Sequence, residues 1–362
     1  MEKVNAYEWR MVMRKKIILG IGILLFAVCT TAVPAAAKTV TKKVSKGKVQ
    51  TKNGKISVNK KKKTVTFKKS GTYTLSGKIS GFSFVSSVKK AKIKIVLNGA
   101  SLSNAKTSCI YGKQKDSTWT LQGKKGKTNT ISGAKAYPVP KNAKEAEPDA
   151  AVYSEGDIVF SGLGSISVTD ASSNGEAIHA KENLTMQSGS LKAVSTHTSF
   201  HGEDVHIKGG TLDVNAADTG IKSKHNTNIS GGTLNVVAGD KGIQGKTGVK
   251  ITGGTMRVTV SKASGTPFED FRGIVAGQSG KNVAGSIVIS AGNITVNSYG
   301  DCIKASRDVT ISGGTFRLTS ASDDGIQAKG TLTLQGKPAL SIQAKGKKVK
   351  GEIKNIAAGI KY

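Results

Sequence analysis

The fold class predicted for this chain is all-β, a parallel β-solenoid with rungs of about 22 residues, and three observations predict it. One stretch repeats itself: Val205-His-Ile-Lys-Gly-Gly-Thr-Leu-Asp-Val, Thr227-Asn-Ile-Ser-Gly-Gly-Thr-Leu-Asn-Val, and Val249-Lys-Ile-Thr-Gly-Gly-Thr-Met-Arg-Val, at a step of 22 residues. Within each unit the apolar residues alternate and the alternation breaks at a Gly-Gly corner, which is the period of strands and not of helices. The chain holds 44 glycines against 6 prolines and only 5% aromatic residues, a composition suited to many short strands turning at tight corners. A fixed period of this length means units that cover one another's apolar faces.

Taken in order, Met13-Arg-Lys-Lys, the apolar run Ile17 to Ala27 and Ala35-Ala-Ala37 read as the charged, apolar and small-residue regions of a secretory signal peptide over residues 1–37. The run is short for a membrane span and is followed by Pro34. Residues 38–63 are rich in Lys, Thr and Ser with little apolar patterning, and are expected to be a mobile basic arm ending at Lys60-Lys-Lys-Lys63. The solenoid is expected over 64–345. Val65, Phe67, Ile93, Ile95 and Leu97 start the alternation, and the Pro- and Glu-containing segment Gly133 to Asp149 forms a surface loop.

From Ala150 three apolar rows keep register. Met186, Ile207, Ile229, Ile251, Ile289, Ile311 and Leu334 form one row. Leu184, Val205, Thr227, Val249, Ile287, Val309 and Leu332 form the second, and Leu191, Leu212, Leu234, Met256, Ile294 and Phe316 the third. The long step from Ile251 to Ile289 places insertions at 261–272 and 276–285, beside the rung of Arg272-Gly-Ile274. Residues 346–362 are expected to be a basic tail or cap.

Without residues 1–37 the chain carries 50 Lys plus Arg against 21 Asp plus Glu. Lys38 to Lys115 holds 21 lysines and no acidic residue. Only four of the 50 cations are arginine, so diffuse attraction to a polyanion fits better than bidentate readout of phosphates. The expected partner is a polysaccharide, anionic in character, and a cell-wall polymer is included. Nucleic acid is not expected, nor is a membrane after signal cleavage, and the chain is expected to act as a monomer. Cys109 and Cys302 fall in apolar repeat positions and read as two buried thiols, not a disulfide scaffold.

Ile95-Val-Leu-Asn-Gly-Ala, the segment Ala151-Val-Tyr-Ser-Glu-Gly-Asp-Ile-Val-Phe-Ser-Gly162, and the recurrent Ile-Ser-Gly-Gly-Thr and Asp-Gly-Ile units resemble a family of secreted bacterial carbohydrate-binding parallel β-helices. That family is typified by a clostridial cellulose- and pectin-binding protein. The resemblance spans roughly Thr64 to Ala344. It implies a right-handed parallel β-helix of pectate-lyase-like shape that binds plant-type polysaccharide and carries calcium. This chain departs from the pattern in its lysine-rich start and in two rungs without the aspartate, His197-Thr-Ser-Phe200 and Phe271-Arg-Gly-Ile274.

Aligned on Ile178, Phe200, Ile221, Ile243, Ile274, Ile303 and Ile326, the rungs place Asp218, Asp240 and Asp323 three positions earlier, and Glu176, Asp301 and Asp324 two earlier. Carboxylates recurring at one corner, on strands about 4.8 Å apart, repel unless a cation sits among them. The metal candidates are therefore Asp218, Asp240, Asp301, Asp323 and Asp324, with calcium as the cofactor. Routine turn hydrogen bonding is an equal alternative for Asp218 and Asp240.

The outward residue after the aligned position reads His179, Lys222, Gln244, Val275, Lys304 and Gln327. Lys222, Lys304, Gln244, Gln327 and Arg272 are the candidate substrate-binding residues. No catalytic residue is assigned. A calcium-dependent pectate-type lyase using Lys222 or Lys304 as base is the alternative function, and a wall-bound structural or adhesin-like protein is another. His197 and His201 are expected at the surface. Trp119, the one tryptophan after residue 37, leaves little for stacking on neutral cellulose.

Overall fold

The computed structural model describes residues 39–139, 141, 147–262, 270–277 and 283–362. The expected signal peptide and parts of both insertions lie outside the described residues. What is described is strand and turn with no helix, a β-solenoid of about 12 turns with rungs of about 23 residues. The 32 strands among the described residues all join one hydrogen-bonded sheet.

Three parallel ladders run along the solenoid. The second apolar turn of the repeat stacks Tyr73, Ile95, Leu121, Phe160, Met186, Ile207, Ile229, Ile251, Ile289, Ile311, Leu334 and Ile356. Met186 through Leu334 is the first row expected from sequence, and every member is buried. The ladder after the Gly-Gly corner stacks Leu191, Leu212, Leu234, Met256, Ile294 and Phe316 as expected. Parallel pairing along each ladder, with register shifts confined to the corners between ladders, leaves each apolar side chain sandwiched between its equivalents in the rungs on either side, so the core is a column.

The corner between these two ladders explains its glycines. Gly210, Gly232 and Gly254 adopt φ of +81°, +91° and +93°, a region that side-chain-bearing residues rarely occupy. A Cβ there would lie 2.6, 3.0 and 3.0 Å from the carbonyl oxygens of Gly189, Gly210 and Gly232 in the preceding rung. Close stacking of successive corners therefore requires glycine.

The N-terminal segment differs from the expected mobile arm. Val40–Val44, Lys46–Thr51 and Ile56–Asn59 are strands. The first two pair antiparallel with each other, the second continues antiparallel onto Gly71–Ser80, and the third pairs antiparallel with Thr64–Phe67. Val44 and Val49 are buried. These strands cover the open apolar end of the first rung, which a parallel solenoid must otherwise leave facing water. At the other end the solenoid runs past residue 345: Val349–Lys350 and Ile353–Ile356 extend two ladders by one more step.

Candidate functional site

The third ladder carries the corner of interest. Its inward row is Val65, Phe84, Ile110, Val152, Ile178, Phe200, Ile221, Ile243, Ile274, Ile303, Ile326 and Val349. The glycine before the isoleucine is set by packing: a Cβ on Gly220, Gly242 or Gly325 would fall 2.2 to 2.4 Å from a side-chain carbon of Val236, Val258 or Ile342. The chain enters each strand through a tight turn, and the acidic residue just before the glycine is held at the turn's edge, beside its equivalents.

At the C-terminal end of this corner Asp301, Asp323 and Asp324 come together, with ligand oxygens all within 4.8 Å of one another. Asp301 is 1% exposed. Its Oδ2 accepts from Lys304 Nζ at 2.8 Å and lies 3.7 Å from Arg272 Nε. Its Oδ1 is buried without a hydrogen-bond partner, and so is Gln327 Oε1. Asp324 accepts from the Lys347 amide at 2.7 Å, from Gln327 Nε2 at 3.2 Å and from Lys350 Nζ at 3.0 Å. Burial and the neighbouring Asp323 raise the pKa of Asp301, while Lys304 and Arg272 lower it. Three carboxylates thus face two paired lysines, with two buried oxygen acceptors left over.

Asp218 and Asp240 join no group of three such ligands among the described residues. Asp240 forms an ion pair with Lys241, and Asp218 accepts from the Thr219 hydroxyl at 3.0 Å. Among the candidate substrate-binding residues, Arg272 and Gln327 are buried against the acidic corner, and Lys304 is committed to Asp301. Arg272 is also held by Asp270, 2.6 Å away, a carboxylate one residue ahead of the rung that lacked its aspartate. Lys222 and Gln244 are half-buried on the outward row. Of the five, only these two present polar groups outward without being buried in the ion network.

Further along the same corner sits a second cluster. His201 is buried, contrary to the surface position expected for it, because it stacks on His179 of the preceding rung. The sequence signal was available: His201 follows Phe200 as His179 follows Ile178, so the two share the outward row. Asp149 at the end of the polar loop and Glu176 complete the group.

The thiols of Cys109 and Cys302 are free and buried, as expected, and burial pushes both pKa values up to about 12.

The family model of a carbohydrate-binding domain-containing protein matches residues 61–325. A carbohydrate-binding domain-containing protein of Acetivibrio thermocellus is 28% identical over 137 residues, 38% of this chain and 46% of the relative. The chain thus spans about half the length of that curated relative. The solved structure of the polysaccharide lyase-like protein from C. thermocellum, a gadolinium derivative, shares 21% identity at a TM-score of 0.42, covering 89% of this chain and 94% of that one.

Proposed function

Because the chain belongs to the family of carbohydrate-binding domain-containing proteins, we propose that it is a secreted, non-catalytic protein adhering to anionic polysaccharide, pectin-like or of the cell wall, with calcium at the Asp301, Asp323 and Asp324 corner. One observation carries the anionic preference. Between Thr39 and Lys115 the structure describes 20 lysines, and all 20 side chains are exposed on the capping strands and the first rungs. Lys115 pairs with Glu182 at 3.1 Å, and it is the one lysine of the set with an acidic partner among the described residues. A face of unneutralised point charges on a rigid scaffold attracts a polyanion along its length.

Stacking on neutral polymer has little support. Trp119 is fully buried, and the exposed large aromatics among the described residues are Tyr299 and Tyr362.

The calcium part of the reading rests on the donor set. Asp301 Oδ1, on one of the three carboxylates, and the neighbouring Gln327 Oε1 are hard oxygen acceptors without donors, which is the chemistry a calcium ion takes and a softer metal does not. When bound, the ion would offset the repulsion among the carboxylates and tie two successive rungs. Lys304, paired with Asp301, serves as a counter-ion to that corner.

The test is co-sedimentation with polygalacturonate and with uncharged polymer at rising salt, with ultraviolet absorbance recorded for unsaturated products. Retention on the anionic polymer should fall steeply with salt, because exposed charges are screened within about 8 Å at physiological ionic strength. Retention that ignores salt, or is equal on neutral polymer, overturns the anionic reading. New absorbance replaces the non-catalytic reading with the lyase.

A further inference from the structure

The ladder after the Gly-Gly corner turns polar rows outward. One row runs Thr255, Asn293 and Thr315, and the next runs Arg257, Thr295, Arg317 and Ser341. Of the four arginines after residue 37, Arg272 is held by Asp270 and Arg307 by Asp308. The other two, Arg257 and Arg317, are exposed and have no acidic partner among the described residues. Both fall on this one row, two rungs or roughly 10 Å apart.

At Arg317 the face becomes concave. A groove of about 950 Å³ opens there, lined by Asn293, Thr295, Thr315 and Ser341 from three successive rungs and by the cations Arg317, Lys337 and Lys361. Its size is that of a small-molecule site, about 300–1,000 Å³. Two local features build it. Four residues separate Ile311 from Phe316 but five separate Leu334 from Leu340, so this corner is longer by one and sets Lys337 at the rim. The far wall is residues 358–361, held by the Ala357 amide donating to the Leu334 carbonyl at 2.9 Å and by Ile360 packing on the core. The lining has three cations and no carboxylate side chain. None of these seven polar side chains makes a hydrogen bond or ion pair among the described residues.

We propose that this groove is a subsite for a short acidic saccharide, with Arg317 taking the carboxylate of one sugar residue. The planar guanidinium fork matches a carboxylate in two parallel hydrogen bonds, while Lys337 and Lys361 add undirected positive charge. Asn293, Thr295, Thr315 and Ser341 both donate and accept, as the hydroxyls of a sugar ring do. A free phosphate would engage the cations and leave those four groups idle, so a saccharide fits the whole lining. One rung spacing is close to the length of a pyranose residue, and Arg257 lies two rungs along the same row, where a chain leaving the groove presents a second carboxylate. This rests on the anionic-polysaccharide reading and adds to the diffuse lysine face a second place, at the other end of the solenoid, where the bonds are directed.

The test is equilibrium dialysis of the protein against trigalacturonate, maltotriose and inorganic phosphate, at physiological ionic strength so that diffuse attraction is screened. Wild type should take up one trigalacturonate per chain, keep it against an equal concentration of phosphate, and bind maltotriose at least about 10-fold more weakly, as expected when hydrogen bonds to a charged group are absent. Arg317→Ala should weaken trigalacturonate by about the same 10-fold, and Arg317→Lys should recover only part, because an ammonium lacks the fork. Lys192→Ala removes a charge from the same row five rungs away and should change nothing. Arg317 is exposed, so its variants should keep the wild-type melting temperature. Arg317→Ala that binds as wild type does, equal uptake of maltotriose, or displacement by equal phosphate overturns the subsite. Polymer retention that falls with salt while trigalacturonate fails to bind strikes the groove alone. Trigalacturonate uptake beside polymer retention that ignores salt strikes the lysine face and leaves the groove standing.

Discussion

Replacing Val49 by Asp asks whether the lysine-bearing N-terminus is a folded cap. Val49 is 0% exposed, in a strand paired on one side with Val40–Val44 and on the other with Gly71–Ser80. Losing its burial costs about 2 kcal/mol. An unpartnered carboxyl at the same place costs about 2–7 kcal/mol more, chiefly by forcing the group to neutralise. The protein need not bear the whole of that cost, since the cap can peel away while the rungs beneath survive, so the loss is limited to the free energy of local opening.

Two measurements separate these outcomes. The denaturant midpoint should fall, and brief trypsin treatment should cut Val49→Asp at Lys42, Lys43, Lys46 and Lys48 while the wild type resists, because a strand must open before a protease can engage it. On a mobile arm the substitution would change stability by no more than about 0.5 kcal/mol. A variant with the wild-type midpoint and the wild-type digestion rate would refute the cap.

Two further outcomes are expected. Calcium removal should lower the melting temperature and calcium titrated back should restore it, because a ligand bound only by the native state stabilises it in proportion to log concentration; Asp301→Asn with Asp324→Asn should remove most of that response, and a melt indifferent to chelator in wild type counts against the ion. The Cys109 and Cys302 thiols, held up to about 12 by burial, leave about one molecule in ten thousand as thiolate at pH 8, so native protein should resist alkylation that proceeds at both cysteines in denaturant, and rapid native labelling would contradict their burial.

The ladders were legible because their signal is local. Alternation plus a glycine at a fixed step identifies which residue sits over which, and Ile207, Ile229 and Ile251 stack as the 22-residue step requires. The capping strands were not. Val44 and Val49 are their fully buried anchors, separated by four residues of mostly Lys and Gly, so no period appears and the composition resembles an unfolded tail. Their order comes from hydrogen bonding to an edge that the sequence does not display. A chain starting at Thr64 would therefore lose the cover of Leu75 and Ile79 along with the 11 lysines of residues 38–63.

The candidate sites divide in the same way. Asp301, Asp323 and Asp324 converge because register alone brings them to one corner. Arg272 and Gln327 were expected to face a ligand, but counter-charge and burial, set by neighbouring rungs, turned them into the ion network. The burial of His201 depends on its stack with His179 and on the carboxylates around it, Asp149 among them from a loop whose return no periodicity marks.

One outward row serves different chemistry along its length. It runs Tyr111, Tyr153, His179, His201, Lys222, Gln244, Val275, Lys304, Gln327 and Lys350. Four steps separate His201 from Lys304, roughly 19 Å at about 4.8 Å per rung. That exceeds both the range of screened charge and the distance over which substitutions usually couple, about 7–10 Å. Histidines at one end of the corner and carboxylates at the other can thus change independently, while the exposed lysines of residues 39–115 lie beyond the histidines toward the cap. The repeat makes this possible because each rung fixes only its inward residues, Ile178, Phe200, Ile221 and their equivalents, and leaves the residue beside them to be chosen rung by rung. The character of each place on such a scaffold is therefore set by which residues share a register, and His201 is buried because a histidine lies one rung away.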